Sequence, residues 1–430
     1  MPFKILTTAD LHLGKKSSNV PRNLDESSTR FTWHRIVEYA VVNEIDALIL
    51  AGDVVDRDNR YFEARGPIQE GFERLQDAEI PVVMVAGNHD FDVLTDVIRN
   101  REYDHVHLLG EQGTWESYRL QNPKGAIQFI GWSFPSRYVG EDPSIQDWSV
   151  NLDPNLPTIG ILHGDIADSS SKYAPINLNN LIGGLVDSWV LGHIHKPGIL
   201  RESEPLIFYP GSPHALSSKE PGQHGPFLLT IEGREAIRYE QIALSPIRYD
   251  RLEIDITGVE NESEFRNRIT SRLSGEVQNN VEKFEQAYRA IYDVILTGKH
   301  SSLSELDRWG QWAREFEQEL MPETLVSIRT VVNKVEPKVE NLQQLAGQPT
   351  PPGILAQAIL DLQNGRQSEF IDHLSKQFKT KLEGVNSANT YQPLRLQDPP
   401  LTASSDDARD YLLRECQHLL GELLLQKEHS

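Results

Sequence analysis

The sequence predicts an α/β layered sandwich followed by a smaller α/β module and a helical end. Three observations carry this. Short apolar runs alternate with amphipathic helical stretches through the first half, the order that builds layered α/β domains. Near Ser245 the texture changes to a strand, helix, strand, helix, strand series. Beyond the Pro- and Gly-rich stretch EPKVENLQQLAGQPTPPG, only helical patterns remain. At 430 residues the chain has room for two or three domains.

In chain order, FKILTTA, IDALILA, IPVVMVA, AIQFIGW, TIGILH and DSWVLG read as strands. STRFTWHRIVEYAVVNE and EARGPIQEGFERLQDAE read as the helices between the first of them. GPFLLTIEGREAIRYEQIAL reads as a hairpin that closes a first domain, 1–244. In 245–340 the strands IRYDRLEIDITG, AYRAIYDVILTG and TLVSIRTVVNKV are separated by the helices NESEFRNRITSRLSGEVQNNVEKFEQ and SELDRWGQWAREFEQEL. Residues 341–353 form a linker and 354–430 a helical region. There Ala408, Leu412, Cys416, Leu419 or Leu420, and Leu423 make an apolar stripe. The stripe either packs on the helix around Ile354–Phe378 or docks a partner.

The single cysteine, Cys416, excludes a disulfide framework and a Cys-rich zinc module, and fits a cytoplasmic, reducing compartment. Met1 leads directly into a strand, and no run of 18 apolar residues occurs, so neither signal peptide nor membrane span is expected. A formal net charge of −21 repels polyanions at long range, so a nucleic-acid substrate would need local help from metal ions, a basic loop or a partner.

The strands of the first half end in polar groups. Asp10-Leu11-His12 follows ILTTA; Gly52-Asp53, with Asp56 three residues on, follows LILA; Gly87-Asn88-His89-Asp90 follows VVMVA. His163 ends IGIL, and Gly192-His193-Ile194-His195 ends WVL. Loops at the carboxyl ends of parallel strands converge on one crevice. In extended backbone, residues i and i+2 point the same way, so Asp10 with His12, and His193 with His195, can share an ion. A lone Asp-x-His or His-x-His is more often surface chemistry; the ordered set is what points to metal. Carboxylate, imidazole and amide oxygen together suit a pair of Mn, Fe or Zn ions better than Mg or Ca. One shared carboxylate, Asp53, would hold such a pair about 3.5–4 Å apart.

The series ADLH, GDVVD, GNHD, LHGD and GHIH, in this order, resembles the calcineurin-like metallophosphoesterase superfamily. That resemblance implies a four-layer core with two divalent ions, Mn²⁺ foremost and Fe or Zn as alternatives. One ion would be held by Asp10, His12, Asp53 and His195, the other by Asp53, Asn88, His163 and His193. His89 would stay off the metal and stabilise the transition state or protonate the leaving oxygen, with Asp90 orienting His89 or its loop. ILTTADLHLG and YPGSPHALSSKEPGQHGPFLLTIEG further resemble SbcD-type nucleases, particularly their YhaO-like branch. This implies a DNA exonuclease, with single-strand endonuclease capacity, in repair or processing. It also implies a DNA-capping domain at 245–340 and an SMC-like coiled-coil ATPase bound through the C-terminal helices, and it leaves a homodimer open. Lys15, Lys16 and Arg22 after the first motif, and Arg57 and Arg60 after the second, would take backbone phosphates. Two other readings compete. One is a nucleotide, small-molecule or phosphoprotein phosphoesterase; the other is a non-catalytic scaffold for DNA ends or the ATPase.

Overall fold

A computed structural model describes residues 1–56, 64–99, 103–166, 168, 170–202, 204–234, 236–338, 341–366, 369–387 and 405–428. The chain divides into two compact units. The first comprises Met1–Asp250, Val277–Tyr292 and Glu317–Ser327; the second comprises Arg251–Glu276, Asp293–Phe316 and Ile328–Ser430.

The first unit is built on two six-stranded sheets. In chain order its strands and first helices are β1 (Phe3–Thr8), α1 (Thr29–Val42), β2 (Ala47–Ala51), α2 (Arg65–Asp77), β3 (Val82–Val85), β4 (Val106–Leu108), β5 (Trp115–Asn122), β6 (Gly125–Trp132), β7 (Thr158–His163), β8 (Ser188–Gly192), β9 (Gly198–Arg201), β10 (Leu206–Tyr209), β11 (Phe227–Ile231) and β12 (Ile237–Gln241). One sheet runs β12-β11-β1-β2-β3-β4, with β1 to β4 parallel. The other runs β5-β6-β7-β8-β10-β9, with β6, β7, β8 and β10 parallel. The expected hairpin is β11–β12, and it pairs antiparallel with β1, Phe3 opposite Ile231.

Parallel strands buried on both faces read as unbroken apolar runs, and every residue of β2 and β3 is buried. Between the sheets Ile5, Ile49, Val83, Val85, Phe129, Ile161, Val190 and Phe208 form one core, each fully buried. Each such side chain contributes about 1.5–3 kcal/mol relative to exposure. The outer face of the first sheet is covered by α1 and α2. Ser28 caps α1 by accepting from Arg30 N–H, and Trp33 of α1 meets Phe72 of α2 edge-on at 6.2 Å. On the outer face of the second sheet Trp132, Leu162 and Trp189 pack with Phe134, Ile176 and Leu181 of the layer that covers it. This fourth layer is made largely of loops and short 3₁₀ turns at Pro143–Ile145 and Leu178–Leu181.

After β12 come the strand Ile247–Asp255, the helix Glu262–Asn279, the strand Arg289–Thr297 and the helix Leu303–Arg314. The sequence pattern predicts that this last helix continues to Leu320. Instead Glu317–Met321 is a strand that pairs antiparallel with Thr324–Asn333. In the second unit, the stretch expected as a linker contains a one-turn helix, Leu342–Ala346, capped by Asn341. Helices Pro351–Gln363, Glu369–Ser387 and Ser405–Glu428 follow. The apolar stripe packs inward: Cys416 and Leu420 are buried with Ile359, Leu362 and Ile371, while Leu419 faces solvent.

Candidate metal centre

The five strand ends that carry Asp, Asn and His belong to β1, β2, β3, β7 and β8, and they meet at one edge of the sandwich. Asp10, His12, Asp53, Asn88, Asp90 and His163 are all buried there. The backbone is strained at the same places: Asp10, His12, Asp53 and His193 have φ of 51°, 46°, 51° and 105°, a region that non-glycine residues rarely adopt. The adjacent glycines are required by close approach. A Cβ on Gly87 would collide with the Asp53 carboxylate, and one on Gly192 with Ala51 O and the His163 ring.

Two groups of donor atoms face one another. Nε2 of His12 and Nε2 of His195 lie 3.1 Å apart, and Asp10 offers a carboxylate oxygen within 4.8 Å of both. Nε2 of His163 lies 3.2 Å from Asn88 Oδ1 and 3.4 Å from Asp53 Oδ2, again with Asp10 in reach. Asp53 Oδ2 is also 3.9 Å from His12 Nε2, which puts this carboxylate between the groups. The His193 ring lies 5.4 Å from that of His163, and the His193 backbone N–H donates to Asp10.

The outer partners fix tautomers as metal ligation requires. A carbonyl can only accept, so His163 Nδ1–H donates to Ala51 O at 3.0 Å and Nε2 is turned toward Asp53. His195 Nδ1–H donates to Glu220 at 2.7 Å, and the other Glu220 oxygen accepts from Leu216 N–H. Sequence reasoning missed Glu220, because nothing in SSKEPG marks it; only the need of a ligating histidine for a carboxylate could have suggested it. Burial lowers the pKa of His12, and burial with neighbouring His163 pushes His193 down to about 4, keeping both imidazoles neutral. Burial opposes ionisation of Asp53, yet His163, His12 and His89 hold its carboxyl far below the usual range. Neutral imidazoles, ionised carboxylate and an amide oxygen are the donor set a divalent pair needs, so the residues fit two such ions.

Burial opposes protonation of His163 too, but Asp53 beside it pushes its pKa up to about 9. A ligand must be deprotonated, so ion binding here should release a proton, and affinity should rise roughly tenfold per pH unit up to about pH 9. Calorimetric titration with Mn²⁺ at pH 7 and 8, in buffers of different ionisation enthalpy, measures both. Equal affinity and no proton uptake by buffer would contradict it.

His89 lies outside these two groups, though with His12 and Asp56 it makes a third set of donor atoms within 4.8 Å of one another. Its side chain is 31% exposed, its ring meets that of His12 edge-on at 4.9 Å, and its Nδ1 is 3.6 Å from Asp56 Oδ1. Asp90 is bonded to the loop that carries His89 rather than to its ring. Its carboxylate accepts from Gly87, Val54 and Val55 N–H, tying the β2 and β3 loops together, and burial beside Asp53 pushes it up to about 7. Asp56, given no role from sequence, is the carboxylate that faces His12, His89 and Lys15, the last at 2.9 Å.

Of the other cations expected at the rim, Lys16 donates to Arg22 O at 2.7 Å, and both side chains belong to the exposed loop after β1. Arg57 and Arg60 lie outside the described residues. His214, close in sequence to the site loops, is fully buried with its ring bonded to Ser17 and Thr32, so it packs rather than binds. His107 stacks on Tyr118 at 3.7 Å, away from the centre.

Residues 3–197 match the family model for calcineurin-like phosphoesterases. The chain is 28% identical over 262 residues to the uncharacterized metallophosphoesterase YhaO of Bacillus subtilis, covering 59% of this chain and 63% of that one. It is 26% identical over 253 residues to the SbcD component of the nuclease SbcCD from the same organism, covering 51% and 64%. To the DNA double-strand break repair protein Mre11 of Sulfurisphaera tokodaii it is 25% identical over 225 residues, covering 50% and 55%. The matches thus span less than two thirds of these relatives' own lengths. The chain carries a calcineurin-like metallophosphoesterase domain.

Proposed function

We propose that this domain is a two-metal phosphodiesterase that hydrolyses DNA, as an exonuclease with single-strand endonuclease capacity. The observation that carries it is the meeting of Asp10, His12, Asp53, Asn88, His163, His193 and His195 from five strand ends, together with relatives named as a nuclease component and a double-strand break repair protein. Asp10, His12, Asp53 and His195 would hold one ion; Asp53, Asn88, His163 and His193 would hold the other. When bound, such a pair activates the attacking water and neutralises charge on the phosphoryl oxygens.

The chain's own residues do the rest. Glu220 and Ala51 O fix the ligand tautomers, and Asp90 locks the two loops that carry Asp53 and Asn88. His89, off the ligand groups and oriented by Asp56, protonates the departing oxygen. A coiled-coil ATPase as partner is part of this proposal, supported by the relative named as one component of a larger nuclease. Its dock would have to lie elsewhere than the inward-packed stripe.

The test uses end-labelled linear DNA, single- and double-stranded, beside a generic aryl phosphodiester, all with Mn²⁺. Progressive shortening of DNA together with aryl ester hydrolysis is expected. Aryl ester hydrolysis with intact DNA would replace this reading by a small-molecule, nucleotide or phosphoprotein phosphoesterase. Loss of neither substrate would leave a binding scaffold.

A further inference from the structure

The loops after β6 and β7 hold an arrangement that the metal centre does not use. Val139 N–H donates to Lys172 O, and Ala174 N–H donates to Val139 O, each at 2.8 Å, so the two loops run as a paired strip. On this strip Tyr138 stands 49% exposed. The Arg137 guanidinium lies 4.9 Å from the centroid of its ring and Lys172 Nζ lies 5.9 Å from it. From there the rings continue inward. Tyr138 to Tyr173 is 5.8 Å, Tyr173 to His193 is 5.1 Å, and His193 to His163 is 5.4 Å between centroids. An unbroken ladder of rings thus joins the surface to two proposed ligands.

A tyrosine left exposed under two cations is not core packing. The chain carries a formal charge of −21, yet among the described residues neither Arg137 nor Lys172 is in an ion pair. Two carboxylates of the same loops are already engaged: Asp142 accepts from Ser144, Asn177 and Asn180, and Asp168 from Ser170. A half-exposed ring with two cations held over it combines the two parts of a single-stranded nucleic-acid site, where bases stack on aromatic side chains and cations follow the backbone. The aromatic part offers a duplex little, because a paired base hides its faces in the stack, whereas the cations can take phosphates of either form.

We propose that Tyr138, with Arg137 and Lys172, receives an unpaired nucleotide of a DNA strand whose scissile phosphate enters beside His193. The base stacks on Tyr138 and the two cations take the flanking phosphates. This deepens the DNA reading above and rests on it: the strip favours single-stranded or frayed ends over intact duplex.

Anisotropy of a labelled oligothymidylate, measured on the whole chain with a chelator present, reports the strip without turnover. Tyr138→Ala should weaken binding about tenfold and Tyr138→Phe by less than about twofold. An abasic oligonucleotide should bind wild type and Tyr138→Ala alike. Replacing both Arg137 and Lys172 by Ala should flatten the slope of log K against log salt by roughly 1.4, at 0.7 per contact on single strands. Equal thymidylate affinity in wild type and Tyr138→Ala, absence of binding by wild type, or tighter binding of duplex would each overturn the subsite. DNA hydrolysis measured separately could survive that result. Conversely, stacking without any hydrolysis would remove the nuclease reading and leave the subsite.

Discussion

His89→Ala is expected to bind two divalent ions as tightly as wild type and to turn over an aryl phosphodiester about 10²–10⁴-fold more slowly, the range a positioned general acid supplies. The separation follows from position. His89 shares a loop with Asn88, yet its ring lies outside the two groups that Asp53 joins, and it faces the Asp56 carboxylate at 3.6 Å. Its backbone N–H donates to Asp53 Oδ1 at 2.9 Å, a bond that alanine keeps. The effect should be largest for esters with poor leaving groups, since a good leaving group departs without a proton. Calorimetry for the ions and initial rates on two esters of different leaving-group pKa check this. Loss of an ion, or an equal drop on both esters, would make His89 a ligand or a structural residue.

Asp53→Asn should do the reverse. Asparagine keeps the shape and the acceptor for His89 N–H but removes the charge lying 3.4 Å from His163 Nε2 and 3.9 Å from His12 Nε2. Because one carboxylate reaches both donor groups, both ions should weaken together. The loss should exceed about 100-fold, more than the 10–100-fold that outer partners of ligands are worth. Thermal stability in chelator should fall at neutral pH, since the variant leaves the buried His163 without the carboxylate that pairs with it. Loss of one ion with the other unaffected would show that Asp53 serves a single site.

Much of this centre was legible in the sequence because it rests on local pattern. An apolar run that stops abruptly at Asp10, Asp53, Asn88, His163 or His193 announces both the strand and the group it delivers. What escaped depends on contacts between distant segments. Glu220 reaches His195 from 25 residues away, and the bonds by which Asp90 ties its own loop to Val54 and Val55 of the neighbouring one link segments more than 30 residues apart. Strand β5, WESYRLQN, hid because it lies at a sheet edge with mostly polar, exposed positions, and β10, LIFY, because four residues set no period. Tyr138 and Lys172 gave no signal at all, being neighbours only through the pairing of Val139 with Tyr173.

The central claim is that five strand ends build one site for two ions. Titrating Mn²⁺ into chelator-treated wild-type protein, followed by calorimetry and repeated on Asp53→Asn, tests it most directly. Two tightly bound ions per chain, both lost in the variant, are predicted. One ion or none in wild type, or two retained in Asp53→Asn, would contradict the account.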